Sequence, residues 1–134
     1  MYNRKEEDMT QLREVYFCEK CGNVVEILNE GAPALVCCGD PMIKLEAKSE
    51  DSTVEKHVPF IEEKDGGILV KVGQNAAHPM LEKHYIKFIE VLTADKVCKA
   101  ELKPGDAPEA WFPVKKADVL GAREWCNLHG LWQS

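Results

Sequence analysis

Glu124-Trp125-Cys126-Asn127-Leu128-His129-Gly130-Leu131-Trp132 is the stretch from which the rest of the chain is read. It sets a thiol and an imidazole two intervening residues apart, inside an aromatic frame, and it holds one of only four histidines in 134 residues. The other three stand in Glu55-Lys56-His57-Val58-Pro59, His78-Pro79-Met80 and Glu82-Lys83-His84-Tyr85. On this reading Cys126 and His129 complete an iron site begun by His57, His78 and His84. One thiolate and four imidazoles leave an octahedral ion one vacancy for chemistry. The plainer alternative makes each histidine a surface or hydrogen-bonded core residue. Against it, every histidine here lies beside a proline, a strand start or a cysteine.

Working outward, Leu120 to Trp125 reads as the last of a series of strands. Pro59 to Glu63 and Ile68 to Val72 flank Lys64-Asp65-Gly66-Gly67, a hairpin signal. Tyr85 to Thr93 and Ala110 to Val114 follow the same pattern, and Val97 to Leu102 alternates with Cys98, Ala100 and Leu102 on one face. A short helical stretch around Lys115 to Ala122 is compatible with the pattern. Six or seven short strands with turns between them suggest an antiparallel β-sandwich of immunoglobulin-like type. Loops at one end of such a sandwich converge, so donors from three loops can meet there.

The N-terminal part follows a different rule. Val15-Tyr16-Phe17 is a short strand leading into Cys18-Glu19-Lys20-Cys21-Gly22-Asn23, a Cys-x-x-Cys knuckle, and Val24 to Leu28 is a second strand. Leu35-Val36 then delivers the vicinal pair Cys37-Cys38. A unit this small needs a staple, since below about 40 residues a hydrophobic core rarely suffices. Four thiolates on one ion supply it. Two disulfides or a redox dithiol are the alternatives, but adjacent cysteines do not bridge without strain and a thioredoxin-type motif wants a βαβ setting. Iron and zinc both accept four thiolates. The vicinal pair is unusual for a zinc ribbon and should distort the tetrahedron.

The chain is thus expected to run as a polar extension (1–13), a metal-stapled domain (14–45), a polar linker (46–54) and a β-sandwich (55–134). Net charge is −6. Residues 1–45 carry 5 basic and 8 acidic side chains and the remainder 12 and 15, so neither part offers the basic face that nucleic acid requires. No apolar run approaches the ~20 residues of a membrane span, and the first ten residues lack a secretory signal's apolar core. A cytoplasmic location follows as an expectation, and there six cysteines are more often metal ligands or free thiols than disulfides.

The motifs in combination, Cys18-x-x-Cys21, Cys37-Cys38, Glu55-Lys56-His57-Val58-Pro59, His78-Pro79-Met80, His84-Tyr85 and Cys126-Asn127-Leu128-His129-Gly130, resemble desulfoferrodoxin, the two-iron superoxide reductase family of anaerobic prokaryotes. The resemblance spans Val15 to Trp132. It departs from the pattern at the charged extension and at Cys98, which matches no ligand. It implies a desulforedoxin-like domain with iron on Cys18, Cys21, Cys37 and Cys38, where zinc is a possible substitute. It implies a neelaredoxin-like catalytic domain with a second iron, His57, His78, His84 and His129 in a plane, Cys126 axial, and His129 bound through its other ring nitrogen.

The activity so implied is one-electron reduction of superoxide to hydrogen peroxide without release of oxygen, with a rubredoxin-like electron donor and a homodimeric assembly. Lys56 is expected to steer the anion and support protonation, and Glu55 to be the sixth ligand of the ferric resting state. Asn127 and Leu128 are expected to turn backbone amides towards the Cys126 sulfur. Trp125, Trp132, Tyr85, Met42 and Met80 read as packing, and Cys98 as a small buried hydrophobe. Competing readings are a non-enzymatic iron electron-transfer protein, a superoxide dismutase releasing oxygen, and a colourless zinc-stapled regulatory module.

Overall fold

The computed structural model describes residues 9–50 and 57–134. The chain divides into two compact units, Met1–Glu46 and Ala47–Ser134. Among its described residues the first contains five short strands, β1 (Val15–Phe17), β2 (Val24–Glu26), β3 (Val36–Cys37), β4 (Asp40–Pro41) and β5 (Ile43–Leu45). β1 is central and pairs antiparallel with β2 on one side and β5 on the other, while β3 and β4 form a separate hairpin. Its buried hydrophobics among the described residues are Val15, Cys18 and Ile27, whereas Leu28, Val36 and Ile43 are exposed. That is too little apolar burial to hold a fold without a staple.

Residues 10–13, read from the sequence as part of a polar tail, are tied down. The Thr10 amide donates to the Gly31 carbonyl at 3.0 Å, Gly31 returns a bond to the Thr10 hydroxyl at 2.8 Å, and Arg13 donates to Ile27 at 2.8 Å.

Among its described residues the second unit has seven strands, β6 (Pro59–Lys64), β7 (Gly67–Val72), β8 (Ile86–Leu92), β9 (Val97–Glu101), β10 (Glu109–Phe112), β11 (Gly121–Cys126) and β12 (Gly130–Gln133). They form two antiparallel sheets, β10-β7-β6 and β12-β11-β8-β9. One cluster of buried side chains joins them: Ile68, Val70, Val72 and Phe112 from the first sheet, and Ile86, Ile89, Val91, Ala122 and Cys126 from the second. Burying an aliphatic side chain of this kind contributes roughly 1.5–3 kcal/mol relative to exposure, so this unit has a core of its own. The architecture is the expected sandwich.

The Asp65-Gly66 hairpin forms as the sequence indicates, with Asp65 at φ 51° and Gly66 at φ 79°, the two left-handed positions of a type I′ turn. Cys98 and Ala100 pack against the core and Leu102 lies within it. The stretch compatible with helix yields one 3-10 turn at Lys116–Asp118. β12 is an addition to the strands read from sequence. No helix among the described residues is long and apolar enough to cross a membrane.

Candidate metal centres

The knuckle of the first centre closes by two backbone bonds, Cys18 N–H to Asn23 O at 2.9 Å and Gly22 N–H to Cys18 O at 2.8 Å, with Gly22 at φ 85°. The vicinal pair reaches the same point by another device. Neighbouring residues in a strand point to opposite faces. Here Cys37 ends β3, and Cys38 and Gly39 form the two-residue turn to β4 with φ of 53° and 79°. The left-handed turn swings Cys38 back beside Cys37. A non-glycine residue in this region costs roughly 1–3 kcal/mol, which the convergence of sulfurs must offset.

The four sulfurs lie within 4.8 Å of one another, and those of Cys21 and Cys37 are 3.4 Å apart. A tetrahedral ion with sulfur at about 2.3 Å requires sulfur separations of about 3.8 Å, so the donor set fits one ion. Electrostatics within the cluster are uneven. Donation from the Cys21 backbone amide holds Cys18 down at about 7, against the desolvation that raises it. The Asn23 amide, 3.5 Å from the Cys37 sulfur, pulls that thiol down, but the thiols of Cys21 and Cys18 outweigh it and leave it raised. The same neighbours, Cys21 foremost, push Cys38 up to about 12.

The second centre lies at one end of the sandwich. His57 precedes β6, His78 and His84 lie between β7 and β8, and Cys126 and His129 bracket the turn from β11 to β12. The ring centroids run in a closed cycle: His57–His78 4.8 Å, His78–His84 4.7 Å, His84–His129 5.1 Å and His129–His57 4.7 Å. Four imidazole nitrogens about 2.1 Å from one ion, at the corners of a square, place adjacent ring centroids about 4.6 Å apart. Three edges of the observed cycle come close to that spacing, and the fourth, His84–His129, is longer at 5.1 Å. Donor atoms of His57, His78, Cys126 and His129 lie within 4.8 Å of one another, and His84 joins through its ring contacts. Both donor sets fit iron.

Each member is held by neighbours. His78 Nδ1 lies 2.7 Å from the Pro79 carbonyl, which accepts from Nδ1–H and leaves Nε2 as the nitrogen available to an ion. Leu81 and His84 exchange backbone bonds at 2.8 and 3.1 Å, closing a tight turn that presents His84. His129 Nδ1 is 3.9 Å from the Cys126 sulfur. Cys126 itself is fully buried, and a register shift after Trp125 brings Ile86 rather than Lys87 opposite it, so Cys126 and Ile86 share one apolar cluster.

Gly73 sets the His78 loop. At φ 89° it turns the chain so that the His78 amide reaches the Val72 carbonyl at 3.1 Å, and a β-carbon there would overlap the Ala76 carbonyl and sit 2.8 Å from the His78 amide.

One position differs from its reading in the sequence, and two that pack as read have specific partners. The Asn127 amide, expected to face sulfur, donates to the Tyr85 carbonyl at 3.2 Å. The Asn127 side chain accepts from Tyr85 N–H at 2.8 Å and donates to Lys83 O at 3.0 Å, so it clamps the His84 loop to the Cys126 turn. Trp132 packs, as read, but on His57, stacked at 4.7 Å and 19°, with its indole N–H on the His129 carbonyl at 3.1 Å. Met80 packs against the core and its sulfur accepts the Ile86 amide at 3.3 Å.

Glu124 was not singled out from the sequence. It is fully buried, with Oε1 3.9 Å from His57 Nδ1. Its signal was parity: it shares the inward period-two face of β11 with Ala122 and Cys126. Glu55 and Lys56 lie outside the described residues.

Comparison with known proteins adds to this geometry. Residues 49–134 match the family described as desulfoferrodoxin, and residues 7–45 match the desulfoferrodoxin N-terminal domain. The chain is 53% identical over 126 residues to a desulfoferrodoxin of Syntrophotalea carbinolica, across 94% of this chain and 98% of that one. It is 51% identical over 124 residues to a desulfoferrodoxin homolog of Methanothermobacter thermautotrophicus, across 92% and 99%. Among solved structures it resembles the superoxide reductase from Treponema pallidum, with a TM-score of 0.73 and 30% identity over 90% of this chain and 96% of that one.

Proposed function

We propose, since this chain belongs to the desulfoferrodoxin family, that it is a superoxide reductase whose second centre converts superoxide, one electron and two protons into hydrogen peroxide without producing oxygen. The observation that carries the reading is the closed cycle of four imidazoles with the buried Cys126 sulfur within reach of their donor atoms. The residues that would hold iron there are His57, His78, His84, His129 and Cys126. When bound, ferrous iron supplies the single electron and one exchangeable position for a small anion.

The protein's own contribution is placement and charge. Cys126 would supply the thiolate from within the apolar cluster it shares with Ile86. The Pro79 carbonyl engages Nδ1 of His78 and leaves Nε2 as the nitrogen that would face the ion. Neutral rings with a single thiolate leave a centre of net charge +1, which suits a monoanionic substrate. A chain of net charge −6 does not attract superoxide as a whole, so local cations govern approach. Lys56 is assigned the steering and proton-supporting role, and Glu55 that of sixth ligand in the oxidised resting state. Cys18, Cys21, Cys37 and Cys38 would hold the other iron, with zinc as a possible substitute. A rubredoxin-like protein restores the electron, and we expect a homodimer in the cytoplasm.

The test is to count iron in the purified protein and mix its reduced form with superoxide while following visible absorption and both gaseous and peroxide products. Two irons per chain, rapid growth of a thiolate-to-iron band and hydrogen peroxide without oxygen are expected. Stoichiometric oxygen would make it a dismutase, and no reaction faster than spontaneous decay would reduce it to an electron carrier.

A further inference from the structure

Lys48 falls in the stretch read as linker, yet it is held at three points. Its backbone bridges β12, accepting from Gln133 N–H at 2.8 Å and donating to Leu131 O at 3.0 Å. Its ammonium lies 5.1 Å from the centroid of the Trp132 ring and 3.3 Å from the His129 carbonyl. Trp132 in turn stacks on His57 and bonds that same carbonyl. A long, exposed side chain ordinarily loses rotamer freedom when fixed in this way. Here it is fixed to the groups that hold two of the four imidazoles. A depression of about 450 Å³ opens beside them, lined by Lys48, Glu50, His57, His129 and Trp132 among others.

We propose that Lys48 is an anion-steering residue for the second centre, giving the His57–His129 edge of the imidazole cycle a fixed positive charge that draws a small monoanion into this depression. The inference rests on the superoxide reductase reading above and adds a cation distinct from Lys56. Glu50 lines the same depression and opposes the effect, so the expected gain is modest. A unit charge roughly 10 Å from a monoanion in watery surroundings changes its local concentration about two- to fourfold at low salt. Screening removes that gain when the Debye length falls to a few ångströms.

The experiment uses the two-iron protein with Lys48→Met, which keeps an apolar stem over Trp132, and Lys48→Arg, which keeps the charge. Azide affinity of the oxidised protein, read from the shift of the thiolate-to-iron band, and the second-order rate with superoxide are each measured at about 10 mM and about 500 mM ionic strength. Lys48→Met should weaken both about two- to fourfold at low salt and match the wild type at high salt, while Lys48→Arg stays at the wild-type value throughout. Three results each overturn the proposal: Lys48→Met equal to wild type at low salt, a deficit that persists at high salt, or Lys48→Arg behaving as Lys48→Met. A wild-type protein that takes no azide overturns it as well. The two readings separate cleanly. Lys48-dependent azide binding without superoxide reduction removes the proposed activity and keeps the steering role, whereas superoxide reduction indifferent to Lys48 does the reverse.

Discussion

Gly73→Ala tests how far the second centre depends on backbone placement. Two costs apply. A β-carbon at φ 89° is strained by roughly 1–2 kcal/mol, the usual cost of left-handed backbone for an L-residue. It would also overlap the Ala76 carbonyl and lie 2.8 Å from the His78 amide, so the loop must shift, and ordinary overpacking costs about 1–3 kcal/mol. Gly66→Ala is the matched control, because Gly66 has φ 79° with nothing within 4 Å of its would-be β-carbon. It bears the backbone cost alone. The difference between the two variants should therefore be about 1–3 kcal/mol, which for a unit of this size lowers the melting temperature by about 4–8 °C per kcal/mol. The signature beyond stability is metal content. Moving His78 should strip iron from the second centre, while the four-cysteine centre in the same chain stays loaded and serves as an internal standard. Iron per chain and calorimetry of the two variants decide the matter. If Gly73→Ala melts with Gly66→Ala and keeps both irons, the close approach does not position His78.

Two further outcomes follow from the contrast between the units. Chelating the metal of the first centre should unfold residues 9–46 while the sandwich persists, because only Val15, Cys18 and Ile27 are buried hydrophobics there among the described residues; limited proteolysis would show cuts confined to that unit. Acidification should weaken metal binding at the same centre steeply: Cys37 is raised and Cys38 stands at about 12, so both hold protons near neutrality that the ion must displace, and each pH unit downward should lower affinity by at least about 100-fold in chelator competition.

The parts of this molecule visible in the sequence are those whose signal is local. Cys18-x-x-Cys21 is a knuckle because two residues close it, and Asp65-Gly66 is a hairpin because two left-handed residues suffice. The sandwich strands showed themselves by alternation, as in Cys98, Ala100 and Leu102. β12 did not, since Gly130-Leu131-Trp132-Gln133 is four residues long and owes its strand character to pairing with β11 and to Lys48 far upstream. Lys48 was hidden for the same reason: a lysine in a polar stretch carries no mark of the tryptophan it will cover. The Asn127 clamp was misjudged because proximity to Cys126 suggested sulfur as its partner, whereas the nearest backbone across the sheet, Tyr85, competes for the same amide. Glu124 was legible in principle, through its shared parity with Cys126, but an acidic residue on an inward face signals function only once the strand's direction is known.

The two centres also differ in what must happen first. Cys18, Cys21, Cys37 and Cys38 are close in sequence, so an ion can gather them from a largely unfolded segment and drive that unit to fold. The imidazoles of the second centre come from before β6, from the β7–β8 loop and from the β11–β12 turn, and their cycle exists only when both sheets are paired. His57 rests on Trp132, a residue of the last strand, so the site is complete only after the C-terminus has docked. Iron held by the second centre would therefore enter after folding and find its donors already spaced. The donors are spaced by the contacts of Pro79, Leu81, Trp132 and Asn127, so an ion held there would meet a shape set by the fold rather than by its own demands.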